Sequence, residues 1–558
     1  MNINSIKKTT GFILATGLLV GCASGPKFEA SALKNQNNET AKVSQLDENQ
    51  RKSWSSLDLL TDTIPGMSIN LAYEELIKDY EGETVIVAVV DSGIDIEHED
   101  LKDVLWVNED EIPNNNIDDD KNGYVDDVYG WNFLGDIVEE NLEKTRIVRD
   151  LQPKYESKTA EDISAENKAE YEMYMKAKAE FDEDVQKAKQ NSDYYKGLKK
   201  QVEVAQVNLT DSLKGKPLTI ENLKALETND AALSQQKMFM LNIMNNVGED
   251  ISAAIEQLDG GINYFQSQLD YHYNLDLNAR AEKLGDNPDD WSTKYYGNNQ
   301  VTGPDPEKAD ARHGTHVAGI IAASRQNDVG MSGAASNVKI MSVRAVPDGD
   351  EYDKDIALGI RYAVDNGAKV INTSFGKYFS THTDWVNGAI KYAEENDVLI
   401  VNAAGNEGID LDENRVYPND EWPGQTSEIA NNFINVGSIT PSYSENLVSS
   451  FSNYGKDDVD VFAPGSAIYS TVPLDKYEFL QGTSMASPNV AGVAAMIRSL
   501  YPKLTAAQVK EAIINSGLSS SIQVNVGGDP ENKKAFNELS KSGKMVNMYN
   551  ALIYASKL

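Results

Sequence analysis

The stretch 84–90 (TVIVAVV) holds nothing but β-branched residues and one alanine. Apolar residues alternating with polar ones would mark a strand wet on one face. A continuous run marks a strand buried on both, which requires a parallel sheet covered by helices above and below. The run stops at Asp91-Ser92-Gly93, a polar turn. Open α/β sheets carry ligands and reacting groups at the carboxyl ends of their strands. Asp91 is therefore a candidate, although an aspartate in that place often only caps the next turn.

The same grammar returns further on. Strands are predicted at 338–346, 368–372, 398–403, 432–439 and 459–462. Helices are predicted at 354–365, 383–396, about 485–500, 505–516 and 546–556. This alternation predicts an α/β fold, a doubly wound, mostly parallel sheet flanked by helices. Between 137 and 300 the pattern changes. Residues 156–205 are dense in Lys, Glu, Asp, Gln and Ala, which favour helix. Met244, Val247, Ile251, Ile255, Leu258, Ile262, Phe265 and Leu269 make one apolar helical face, which Gly260-Gly261 is expected to kink or split. Tyr174, Ala177, Phe181, Val185 and Ala188 form a second stripe. The segment predicts an inserted all-α hairpin or bundle, packed as an accessory structure or free as a coiled-coil arm.

Two further segments carry chemistry. His313-Gly314-Thr315-His316-Val317-Ala318-Gly319 opens an apolar helical stretch. An imidazole in the first helical turn feels the positive end of the dipole, which disfavours the imidazolium and leaves a base. Zinc-binding helix histidines sit four apart around a glutamate, whereas these are three apart without one. Gly482-Thr483-Ser484-Met485-Ala486-Ser487-Pro488 places a serine where a helix begins. Alone it is an N-cap. As a nucleophile its own N–H would point at the oxyanion that its hydroxyl creates.

Taken together, in the order Asp, His, Ser, the three segments resemble the signatures of the subtilisin-like serine proteases. The resemblance extends to Ala403-Ala404-Gly405-Asn406, Ser374-Phe375-Gly376, Phe451-Ser452-Asn453-Tyr454-Gly455 and Ala463-Pro464-Gly465. It spans about 83–133 and 308–557. Lys377 and Asn489 depart from the commonest form, which bears on specificity. The resemblance implies a subtilisin-like fold and a serine endopeptidase acting on polypeptides, with Asp91, His313 and Ser484 as triad. It implies Asn406 as side-chain oxyanion donor, and Ser374, Phe375, Gly376, Ala404 and Gly405 as substrate-binding backbone. No organic cofactor is implied.

The loop Asp118, Asp120, Asn122, Gly123, Asp126, Asp127 offers oxygen ligands at alternate positions around a glycine turn, as Ca²⁺ requires. Tyr129 stands where an EF-hand needs glutamate. A structural Ca²⁺ held by Asp118, Asp120, Asn122, Asp126 and Asp127 is expected, as in similar loops of calcium-bound relatives. The cluster Asp410, Asp412, Glu413 lacks that spacing.

At the N-terminus, Lys7 and Lys8 precede an apolar run from Gly11 to Val20, the length of a signal peptide and too short to span a bilayer. Leu19-Val20-Gly21-Cys22 resembles the lipobox of bacterial lipoproteins, which implies a diacylglycerol on Cys22. The chain is then lipid-anchored in the bacterial cell envelope, at the outer membrane or on a periplasmic or extracellular face. Cys22 is the single cysteine, so no intramolecular disulfide supports the fold. The expected organisation is signal 1–21, tether 22–55, peptidase 56–136, helical insertion 137–300 and peptidase 301–558. The insertion could gate substrate entry or bind another envelope protein. Against 51 Lys and Arg stand 87 Asp and Glu, a net charge of −36, which argues against nucleic acid as a partner. Two other readings are an envelope scaffold whose protease domain is inert or covered, and an esterase with the same triad. The set Asp91, His313, Asn406, Ser484 opposes the first. The extended edge at 374–376 opposes the second, since pairing along a sheet edge suits a polypeptide.

Overall fold

The computed structural model describes residues 25–35, 45–78, 80–248, 250–422, 425 and 427–558. The expected signal peptide and Cys22 lie outside them. Among the described residues, no helix is long and apolar enough to cross a membrane.

The β-branched run forms β1 (Val85–Asp91), an interior strand of a nine-stranded sheet. In chain order there follow β2 (Gly130–Asn132), β3 (Val338–Arg344), β4 (Val370–Thr373), β5 (Leu399–Ala403), β6 (Phe433–Ile439) and β7 (Val461–Pro464). A hairpin of β8 (Ile468–Val472) and β9 (Lys476–Leu480) stands apart. It is followed by β10 (Leu518–Ser519), a second hairpin of β11 (Gln523–Val526) and β12 (Asp529–Ala535), and β13 (Lys544–Met545). The sheet order is β10-β13-β7-β6-β5-β4-β1-β3-β2, parallel throughout except at β10–β13. The chain first adds β3 on one side of β1 and then β4 on the other. Asp91 thus ends the strand at which the winding reverses, the place where such sheets open a crevice.

The helices are α1 (Glu48–Ser53), α2 (Ile69–Ala72), α3 (Glu143–Tyr155), α4 (Lys168–Ser212), α5 (Ile220–Ala225), α6 (Ala231–Val247), α7 (Ile251–Ser267), α8 (Arg312–Ala322), α9 (Asp353–Asp365), α10 (Thr383–Glu395), α11 (Thr483–Leu500), α12 (Ala506–Ser516) and α13 (Met548–Ala555). Successive residues of β1 face opposite cores. Val85, Val87 and Val89 pack with α8, α11, α12 and α13, whereas Ala88 and Val90 pack with α9 and α10. That is the two-faced burial which the unbroken β-branched run requires.

The insertion is helical, α3 to α7, with the 45-residue α4 as its spine. Its break is not at Gly260-Gly261, which lie inside α7. It falls at Gly248, whose φ of 89° ends α6, while the Asp250 carboxylate accepts from Ser252 and Ala253 N–H to start α7. A positive φ and a cap stop a helix; a glycine pair on a packed face does not. Gly261 serves contact instead, since a Cβ there would lie 2.6 Å from the Tyr195 ring of α4.

The expected tether is also corrected. Pro26 O accepts from Tyr501 Oη at 2.7 Å, and Phe28 meets the Tyr80 and Tyr501 rings edge-on. The Asn550 side chain bonds both N and O of Leu33. Trp54 is buried, its indole N–H aimed at Ser466 O. Residues 25–35 and 45–55 therefore pack on the peptidase. Scattered aromatic and apolar residues in a polar stretch find grooves that composition alone does not reveal.

Candidate active site

Asp91 is buried at the end of β1. Its Oδ1 accepts from Ser92 N–H and lies 2.7 Å from His313 Nδ1; its buried Oδ2 has no hydrogen-bond partner among the described residues. His313 is the second residue of α8 and stays half-exposed. Gly314 makes this approach possible, because a Cβ there would lie 2.2 Å from Gly93 O and 3.2 Å from the Asp91 side chain. Burial pushes the His313 imidazole down, but the Asp91 carboxylate overrides it, and the net shift is upward from 6.5. The helix dipole was expected to keep this ring neutral. A full charge at 2.7 Å outweighs the half charge of a helix end.

His316 takes no part in this. It is buried, with Nε2 between the carbonyls of Ile468 and Glu478, and burial holds its pKa down at about 3. It ties α8 to the β8–β9 hairpin.

Ser484 is the second residue of α11. Its Oγ donates to Ser374 O at 3.0 Å, and Ser374 Oγ donates back to Ser484 O at 2.9 Å. Asn406 accepts from both Thr483 N–H (2.8 Å) and Thr483 Oγ (3.0 Å) through Oδ1, which leaves its NH₂ for another acceptor. A Cβ on Gly482 would lie 3.6 Å from Ser484 N and 3.7 Å from both Nδ2 and Oδ1 of Asn406, so the Asn406 amide and the Ser484 N–H lie close together. Gly405 binds Thr483 Oγ through its N–H, and Ala404 O accepts from the Asn453 side chain. Asn453 also accepts from Glu407 and Ile409 N–H through Oδ1. It fixes the loop that presents Asn406. Its segment was noted in the sequence, its role was not, because the loop it braces lies 44 to 46 positions away.

Asp91, His313 and Ser374 line an open cleft of about 610 Å³, whose wall also carries Glu139, Asp305 and Asp348. Ser374, Phe375 and Gly376 continue from β4 outside any strand, and Gly376 is exposed. Lys377 resumes pairing, exchanging both backbone bonds with Tyr417 at 2.9 Å. Its side chain turns inward, 2% exposed, onto Asp353 (2.9 Å) and Glu143 (3.2 Å). Sequence marked Lys377 as unusual but not as buried, since its partner Glu143 lies 234 positions away.

The acidic loop is arranged differently from its pattern. Glu111, Asp120 and Asp127 present carboxylate oxygens within 4.8 Å of one another. Of the expected five residues only Asp120 and Asp127 join this group. Asp118 caps Asn122 and Gly123 N–H, Asp126 caps Asn115 and Asn116 N–H, and Asn122 donates to both Asp120 and Asp127. Glu111, outside the periodic stretch, also accepts from backbone amides, those of Asp119, Asp120 and Asp126.

A buried carboxylate on a histidine beside an open cleft, and a serine at a helix start near an asparagine amide, fit a serine hydrolase of the Ser-His-Asp class. The comparisons specify it further. The model of the Subtilase family matches residues 249–542, a span with His313, Asn406 and Ser484 that begins after Asp91. The chain is 43% identical over 190 residues to a thermophilic serine proteinase of Bacillus sp. (strain AK1), covering 34% of this chain and 42% of that protein. It is 36% identical over 216 residues to subtilisin DY of Bacillus licheniformis, covering 38% and 71%. With thermitase of Thermoactinomyces vulgaris it shares 40% over 205 residues, covering 37% and 66%. The chain belongs to the subtilase family. It spans less than half the length of the first of these relatives.

Proposed function

We propose that this chain is a serine endopeptidase in which Ser484 attacks a peptide carbonyl. The observation that carries the reading is the 2.7 Å contact of Asp91 with His313 Nδ1, which engages one ring nitrogen and leaves Nε2 to act as the base. His313 takes the Ser484 hydroxyl proton during attack and returns it to the departing amine. Asn406 Nδ2 and Ser484 N–H hold the oxyanion. The open backbone of 374–376 pairs with an extended polypeptide. Water then takes the place of the departed amine, gives a proton to His313 as it attacks the acyl carbonyl, and the Ser484–acyl bond breaks as His313 returns that proton to Ser484 Oγ.

The test is fluorophosphonate labelling of the full chain beside Ser484→Ala, together with cleavage of an unstructured polypeptide. Label and cleavage both lost in the variant support the reading; an unlabelled wild-type chain overturns it.

Two further assignments accompany it. Cys22 is the lipid anchor, supported by the residues before it; Cys22→Ser should move the protein from the membrane to the soluble fraction. Ca²⁺ binds at Glu111, Asp120 and Asp127. Oxygens at about 2.4 Å from one Ca²⁺ lie no more than about 4.8 Å apart, which this trio satisfies. Burial raises the pKa of Asp127, with Asp120 adding to it, so an ion there removes a penalty the fold otherwise carries.

A further inference from the structure

The segment Ser374–Gly376 is suspended between two supports. At its start, Ser374 exchanges two hydrogen bonds with Ser484. At its end the support is Lys377, whose ammonium is held jointly by the peptidase and the insertion. Its ammonium has three hydrogens and meets three acceptors: Asp353 Oδ1 at 2.9 Å, Glu143 Oε2 at 3.2 Å and Glu351 O at 2.8 Å. Glu143 belongs to α3 of the insertion. Its other oxygen accepts from Thr381 Oγ at 3.0 Å. Arg146, one turn along, binds the same carboxylate and the carbonyls of Asp350 (2.9 Å) and Glu351 (3.1 Å). Two residues beyond Lys377, Phe379 is buried among Ile147 and Val148 of α3 and Ala177 and Phe181 of α4.

We infer that Lys377 and Glu143 are positioning residues through which the inserted helices set the backbone of Gly376 for substrate pairing. The inference rests on the endopeptidase reading above. An ion pair this deeply buried contributes little net stability compared with apolar side chains of the same volume. It does specify geometry: a fully bonded ammonium has one place to sit, and it fixes the Cα next to Gly376. An extended substrate needs that backbone at the correct height above Ser484. A small phosphonylating reagent needs only Ser484, His313 and the oxyanion donors. The insertion is on this account a wall of the substrate cleft.

The test compares Lys377→Met, Lys377→Arg, Glu143→Gln and the double variant Glu143→Gln/Lys377→Met in the full chain. For each, kcat and KM on a quenched octapeptide are measured beside the fluorophosphonate inactivation rate and Tm. Misplacement near 1 Å can cost about 100-fold, so Lys377→Met and Glu143→Gln should lose about 30- to 100-fold in kcat/KM on the peptide, with KM raised. Inactivation by fluorophosphonate should stay within about threefold of wild type, because that reaction does not use the edge. The double variant removes both charges of the Lys377–Glu143 pair, while Arg146 loses a carboxylate and Asp353 an ammonium. It should regain part of the Tm lost in Lys377→Met without regaining peptide kcat/KM, and Lys377→Arg, which keeps the cation, keeps the test open if Lys377→Met does not fold. Lys377→Arg should recover part of the peptide rate. Parallel losses on peptide and fluorophosphonate, or a double variant with wild-type peptide kcat/KM, would overturn the inference while leaving the endopeptidase reading intact. A wild-type chain that cleaves no peptide overturns both.

Discussion

Asn406 shows how one side chain divides its labour. Its carbonyl is occupied by Thr483, which leaves its NH₂ as a donor close to Ser484 N–H. Removing such a donor costs roughly 100- to 1000-fold in kcat. Asn406→Ala should therefore turn over a peptide at about that fraction of wild type with KM little changed, measured under saturating substrate. His313 makes a prediction about pH. The neutral imidazole is the active form, and Asp91 raises its pKa above 6.5. The acid limb of kcat/KM against pH should therefore be centred above 6.5. In Asp91→Asn the raising charge is gone. Its limb should move to lower pH while kcat falls about 10⁴-fold. A limb that stays in place would remove Asp91 as the cause.

At the scale of elements, the loop 111–127 and the helices around it test the metal assignment. If Ca²⁺ binds only the native arrangement of Glu111, Asp120 and Asp127, it stabilises by about 2.7 kcal/mol at 100 times its Kd. Tm should rise on adding Ca²⁺ and fall with EGTA. Glu111→Gln should abolish that difference, whereas Asp118→Asn should leave most of it, because Asp118 lies outside the cluster of three carboxylates. Equal sensitivity of the two variants would return the site to the ligand set expected from spacing. The break at Gly248 carries the same lesson. Periodicity located the apolar face of 244–269, but the end of α6 depended on a glycine at positive φ and a capping aspartate. Those are local signals, and the face continues through them.

For the whole molecule, the insertion and the sheet share buried charges. Arg280 bonds Asp355 and Asp286, Lys354 bonds Asp286, and Tyr296 bonds Asp355. The cation–anion partners are essentially excluded from water. Deleting 140–298 would strand Lys354 and Asp355 without their charged partners and take Glu143 from Lys377. Breaking a buried pair from one side costs about 3–5 kcal/mol, against a total stability of about 5–15 kcal/mol for a domain. The deletion should yield no folded, labelled protein, read by circular dichroism and fluorophosphonate. A folded, active product would refute the shared core. Much of the architecture was legible beforehand. Unbroken β-branched runs can be buried only in a two-sided sheet, and strand–helix alternation then dictates parallel winding, so β1, β3 to β7 and their helices follow from local pattern, whereas the three-residue β2 does not. Asp91, His313, Asn406 and Ser484 stand in short motifs whose neighbours in sequence are also neighbours in space. What tertiary structure alone decided is everything held by pairs distant in sequence. Glu143 with Lys377, Arg280 with Asp355, Glu111 with Asp127 and Pro26 with Tyr501 are such pairs. A lone Lys, Asp or Glu in a sequence carries no mark of its partner. Its burial is permitted only after the fold has brought an opposite charge or a hydrogen-bond partner to meet it.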